Sequence, residues 1–169
     1  MNNDMYQTRL DDLIKVAKKY GASAADAVLS SASSVSVARR LGKQESLTRS
    51  DETEIGLRVF VGKRQAIVSS SDIDPAALQS LAERAVAMAR CVPEDNFAGI
   101  ADAGQLATAF PDLDLYDATE PDVATLNTLA DEAERTALDI AGVTNSDSAS
   151  MSFGKDKTFF AASNGFSGH

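Results

Sequence analysis

The segment IGLRVFVGKRQAIVSSS, Ile55–Ser71, decides the fold. Ile55, Leu57, Val59 and Val61 alternate with Gly56, Arg58 and Phe60, so a strand here places four apolar side chains on one face. Gly62-Lys63 then supplies a two-residue hairpin turn, because glycine accepts the positive φ that such turns need. Gln65–Ser70 is the return strand. A weaker echo, SMSFGKDKTFFAASN at Ser150–Asn164, reads as two more short strands meeting at a Gly154-Lys155 corner. Each of these stretches follows an amphipathic helix by one or more extended segments. The repetition implies a fold assembled from helix-plus-antiparallel-strand units.

Working outward, Tyr6, Leu10, Leu13, Ile14 and Ala17 recur at helical spacing, and Gly21 is placed to stop that helix. From Ala24 the pattern becomes extended, with Val35 and Val37 alternating toward Leu41 and a corner expected at Gly42-Lys43. Gln44–Ser50 reads as a separate, polar and exposed strand. Asp74-Pro75 opens a second helix, with Asp as the cap and Pro at the first helical position. Its apolar stripe runs through Leu78, Leu81, Ala85 and Met88 or Ala89 toward Cys91. Periodicity is then lost from Val92 to Ala109, where Pro93, Gly99 and Gly104 mark a long connection. Pro121 opens a third helix that aligns Val123, Leu126, Ala130, Ala133, Ala137 and Ile140 and ends at Gly142. Val143–Ser152 and Thr158–Ser163 read as the last strands. Tight turns between consecutive strands require antiparallel pairing, so the expected class is α+β, in the order α-β-β-β-β-α, then linker and α-β-β.

The chain of 169 residues carries 16 basic and 25 acidic side chains, a net charge of −9 that opposes general affinity for nucleic acid phosphates. The distribution is uneven. Arg39 to Arg64 holds seven basic residues (Arg39, Arg40, Lys43, Arg49, Arg58, Lys63, Arg64) against Glu45, Asp51, Glu52 and Glu54, which leaves that window at +3. Such a face suits an acidic partner, or simply a solvated strand surface that discourages edge pairing. The N-terminus MNNDMYQTRLDD has no apolar core and no basic start, unlike a secretory signal. No run of about 18 apolar residues occurs, and the expected location is cytoplasmic.

Site chemistry is sparse. The one histidine is His169, the last residue, and the one cysteine is Cys91. A disulfide framework, a CxxC zinc site and a histidine-based hydrolytic zinc centre all lack their donors. No G-x-S-x-G nucleophile motif is present. Asp112, Asp114 and Asp117 could be imagined as an all-carboxylate site, but their segment reads as a solvated linker. Gly56 to Gly62 lacks the strand-loop-helix order of a phosphate loop. Arg58 falls on the face opposite Ile55 and Leu57, which makes it a surface residue with binding as the sharper alternative. Cys91 reads as a small buried hydrophobe. Asn164-Gly165 has tight-turn chemistry. No residue earns a catalytic, cofactor-binding or metal assignment.

RRLGKQES and IGLRVFVGKRQAIVSSSD, within Arg39–Asp72, resemble the N-terminal region of the TldD/PmbA metallopeptidase family. Further segments fall in the family's order: GASAAD (Gly21–Asp26), PEDNFAGIAD (Pro93–Asp102), LDLYD (Leu113–Asp117), VTNS (Val143–Ser146) and SNGF (Ser163–Phe166). The long linker before Leu113 resembles the PmbA (TldE) branch. That resemblance implies a cytoplasmic pair of subunits that trims extended peptides, one TldD-type and one PmbA-type. Family members are described in peptide-antibiotic maturation, antitoxin degradation and modulation of DNA gyrase. It also implies zinc in the TldD-type partner, held by a His-Glu-x-x-x-His motif that no position here matches, and no zinc in this chain. Family chains run past His169, so the expectation is a piece of a longer polypeptide. It would comprise a first domain, 1–100, with a linker and the beginning of a second domain, 101–169. Phe153, Phe159, Phe160 and Phe166 would then be exposed apolar surface. The alternative is a non-enzymatic interaction module of the gyrase-modulator kind, using the Arg39–Arg64 face.

Overall fold

A computed structural model describes residues 3–169. The elements are α1 (Asn3–Tyr20), β1 (Ala24–Arg40), β2 (Lys43–Val61), β3 (Arg64–Ser70), α2 (Pro75–Cys91), a 3-10 turn (Ala103–Gln105), α3 (Val123–Leu138), β4 (Ala149–Ala162) and β5 (Ser167–Gly168). The strands form one antiparallel sheet ordered β3-β2-β1-β4-β5, as the α+β reading requires. The β2–β3 register pairs Gly56 with Ser69, Leu57 with Val68 and Arg58 with Ile67.

Two compact units interleave along the chain rather than dividing it at one point. The first comprises the described part of Met1–Ser31 with Glu52–Phe110 and Lys157–His169. Its core is a product of strand parity. Ala25, Ala27 and Leu29 of β1, Ile55, Leu57 and Val59 of β2, Ala66 and Val68 of β3, and Phe159 and Ala161 of β4 all point to one face. There they pack on the stripe Tyr6, Leu10, Leu13, Ile14, Ala17 of α1 and on Leu78, Leu81, Ala82, Ala85, Val86, Ala89 of α2. The Tyr6 and Phe159 rings meet at 5.3 Å between centroids. Gly21, at φ 108, turns the chain out of α1, and Arg90 Nη2 of α2 donates to the last-turn carbonyl of Tyr20 at 2.7 Å. Pro75 takes the first helical position of α2, but the Asp74 side chain does not cap it.

The second unit, Ala32–Asp51 with Pro111–Asp156, packs Val35 and Val37 against Leu126 and Ala130 of α3. Here the apolar stripe departs from expectation. Ala133, Ala137 and Ile140 are exposed, and the buried position four residues beyond Ala130 is Glu134. Its carboxylate accepts from the backbone N–H of Leu41 at 2.7 Å and of Gly42 at 2.8 Å. Leu41 and Gly42 both have positive φ, 49 and 75, so these two residues, not Gly42-Lys43, form the β1–β2 corner. The Gly42 amide, followed by further hydrogen bonds and Arg39, holds the Glu134 pKa below the ordinary glutamate range.

Four further expectations are corrected. Gln44–Ser50 and Ile55–Val61 are one continuous strand, β2, because the polar run between them keeps extended geometry. β4 also runs unbroken through Gly154, whose φ is not positive, and the chain reverses instead around Asn164-Gly165, with Gly165 at φ 94. Cys91 is exposed, since it lies two residues past Ala89 and so on the opposite side of α2 from the buried stripe. None of the four expected phenylalanines is exposed: Phe159 is buried, and Phe153, Phe160 and Phe166 are partly buried.

Candidate functional site

The same parity that builds the first core puts Asp26 and Val28 of β1, Gly56, Arg58 and Phe60 of β2, Ile67 of β3 and Phe160 of β4 on the opposite face. Most of that row is small or apolar. The exceptions are one acid and one base on neighbouring strands, and they pair. Arg58 Nε donates to both carboxylate oxygens of Asp26 at 3.1 Å, and Nη2 donates to Oδ2 at 2.5 Å. Asp26 is buried, whereas the Arg58 side chain is 39% exposed. The guanidinium lies over the Phe60 ring, 5.2 Å from its centroid, which fixes its plane. The hydrogen bond to Asp26 raises the Arg58 pKa above its ordinary value despite partial burial, so the group is always charged.

Two cavities flank this pair within the first unit. One, of about 200 Å³, is apolar and runs along Val28, Gly56 and Ile67. Its narrow floor is set by Gly56, where a Cβ would stand 3.3 Å from Val28 Cγ1. The other, of about 380 Å³, lies between the sheet and the Gly99–Ala107 connection, with Phe160, Asn164 and Phe166 on its rim. Asn164 Nδ2 donates to the Ala101 carbonyl at 2.9 Å and its Oδ1 accepts from Phe166 N, which ties the connection to the β4–β5 turn. Phe166 contacts Phe160 and Phe110 at centroid distances of 5.7 and 6.1 Å. The connection after α2 is thus the roof of a cavity. Four of the segments that carry the family resemblance, containing Asp26, Arg58, Gly99–Ala101 and Asn164–Phe166, meet there.

The other sequence candidates separate. Arg39 pairs with Asp131 at 3.0 Å and Arg40 donates to the Ser146 carbonyl, both in the second unit. In the first, Arg58 is held by Asp26 and Arg64 by Glu94 at 3.4 Å. Three of the seven basic side chains of the window, Arg39, Arg58 and Arg64, are thus ion-paired with acids outside it. Asp112 and Asp117 turn their carboxylates back onto the Asp114 and Thr119 amides, and no group of three or more His, Cys, Asp or Glu among the described residues could hold a metal ion. A polar hollow in the second unit, lined by Arg49, Asp51, Glu120 and Lys155, has balanced charge, and Lys155 donates to Glu120 there. Asp26 was missed by sequence reading. Its signal is a lone acid inside AADAVL at the parity that also carries Arg58.

Two helices thus pack on one face of an antiparallel sheet, and a roofed groove lies on the other. Residues 25–89 match the family model for PmbA/TldA metallopeptidase domain 1. The chain belongs to the PmbA/TldD family, as the N-terminal region of a PmbA-type member. It is 35% identical over 125 residues to the metalloprotease PmbA homolog of Haemophilus influenzae, covering 74% of this chain and 28% of that protein. Metalloprotease PmbA of Escherichia coli O157:H7 is 32% identical over 114 residues, which is 68% of this chain and 25% of that one. The chain thus spans about a quarter of the length of these relatives. A structure described as a modulator of DNA gyrase from Bacteroides thetaiotaomicron shares the fold with TM-score 0.90 at 24% identity, over 99% of this chain and 39% of that one. TldE from Thermococcus kodakarensis does so with TM-score 0.71 at 12% identity, over 94% and 36%. Among the described residues no helix is long and apolar enough to cross a membrane.

Proposed function

We propose that this chain is the N-terminal part of a PmbA/TldE-type subunit of a cytoplasmic metallopeptidase pair that processes peptides. In this reading the zinc belongs to a TldD-type partner. The donors here do not fit zinc: the single histidine is His169, the single cysteine Cys91 is on the surface, and among the described residues neither joins a cluster. What the chain offers instead is a surface for extended peptide. The observation that carries the reading is the roofed groove around Asp26 and Arg58 in a domain similar to metalloprotease PmbA. The sheet also ends in β3, and a terminal strand is where an extended peptide can be added by main-chain pairing with tolerance of sequence.

Mixing the full-length protein with a TldD-type subunit should give a stable complex that cleaves peptides. A pair that neither associates nor cleaves contradicts the proposal. A second reading, a non-enzymatic interaction module, is favoured by the gyrase-modulator description of the Bacteroides protein of this fold. It expects salt-sensitive binding through Arg39, Arg40 and Arg49, and the ion pair and carbonyl contact that already hold Arg39 and Arg40 weigh against it.

A further inference from the structure

We propose that the cavity beneath Gly99–Ala107 is a carboxylate site, and that within the peptide handling proposed above it receives the C-terminus of a peptide ending in an apolar residue. Arg58 uses only Nε and Nη2 on Asp26, and its Nη1 has no partner among the described residues. The guanidinium is pinned by Asp26 and by the Phe60 ring, so its outer edge is preorganised and binding an anion orders little that is not already ordered. A second donor faces the same cavity. Gln105 spends its Oε1 on the Asp102 amide at 2.9 Å, which leaves the side-chain NH₂ without a partner among the described residues.

The rest of the wall selects what accompanies the carboxylate. Ile100, Leu106, Phe160 and Phe166 make it apolar. A volume of about 380 Å³ is at the small end of ligand sites and suits one terminal residue rather than a folded partner. An ammonium group is disfavoured because Asp26, the one carboxylate of the wall, is already consumed by three hydrogen bonds from Arg58. A peptide N-terminus would therefore meet a cation with no free anion. The chemistry discriminates between the two ends of a peptide, and it favours the carboxylate.

The test titrates the 169-residue chain with N-acetyl-Leu-Phe and, separately, with its C-terminal amide, following backbone amide NMR shifts. The acid should bind saturably and shift Arg58, Gln105 and the Gly99–Ala107 amides, and the amide should bind about tenfold more weakly or less, as loss of a charge-assisted hydrogen bond requires. Ala107→Trp, on the exposed roof, should block the acid without lowering Tm. This variant keeps the test sound where changes to Arg58 disturb folding. Equal binding of acid and amide, no saturable binding of either at millimolar concentration, or unchanged binding by the tryptophan variant would overturn the proposal. Failure here in a protein whose full-length form still cleaves with its partner removes this site alone. Acid binding without cleavage removes only the peptidase reading.

Discussion

Asp26→Asn tests the ion pair that builds the groove. The change keeps the side-chain shape, removes the charge, and leaves Arg58 with one acceptor oxygen where it now has two. Breaking a fully buried pair costs about 3–5 kcal/mol, whereas exposed pairs contribute about 0.2–1 kcal/mol. Asp26 is 7% exposed, but the Arg58 side chain is 39% exposed and water recovers part of the loss. The expected cost is about 1–2 kcal/mol, between those limits. For a chain of this size that lowers Tm by about 2–8 °C. Thermal unfolding followed by circular dichroism measures it. Because the Arg58 pKa is raised, the stabilisation from its charge is complete below the ordinary arginine value and is lost only in strong alkali. The arginine therefore adds no pH dependence to the deficit near neutrality. Removing both charges with Asp26→Asn and Arg58→Met together should cost less than the sum of the single changes. A Tm unchanged by Asp26→Asn, or a double variant that simply adds the two losses, would refute the reasoning.

Phe159→Ala empties a fully buried site against Tyr6 and should cost about 3–5 kcal/mol in denaturant unfolding; a much smaller loss would mean that the first core does not depend on β4. Gly154→Ala should be neutral or stabilise by about 0.5–1 kcal/mol, because Gly154 is a strand residue and its new Cβ would meet Ser33 O and Ser34 Cβ at an ordinary 3.7 Å. Destabilisation would restore the corner that the sequence suggests. Glu134→Gln should lower Tm at pH 7 and flatten its decline in acid. The Glu134 pKa is depressed in the folded state, so its stabilisation is present above the ordinary glutamate value and is lost as pH falls through the folded one. A Tm-versus-pH series decides this, and parallel curves for the two proteins would contradict it.

Periodicity made the first unit legible because its apolar residues obey one rule per element. The five α1 positions chosen by helical spacing are the five buried ones, and β2 alternates as read from Ile55 to Val59. Glycine was the weaker guide. Gly62 and Gly165 sit in turns with positive φ, yet Gly154-Lys155, the same dipeptide as Gly62-Lys63, continues a strand, because cross-strand pairing and not the dipeptide sets where β4 reverses. Glu134 was hidden by its charge, since it is buried by bonding to a turn that lies 92 residues away in sequence. The groove was half visible. Arg58 stood out as the charge in an apolar strand, but its meaning depends on Asp26, 32 residues earlier, and on a connection without periodicity that folds over both.

The division of labour between two subunits is tested most directly by offering a test oligopeptide to the full-length protein alone, free of other proteases, with zinc content measured on the same sample. The account predicts no stoichiometric zinc and no cleavage until a TldD-type subunit is added. Unaided cleavage that a chelator abolishes, with zinc bound, would contradict it.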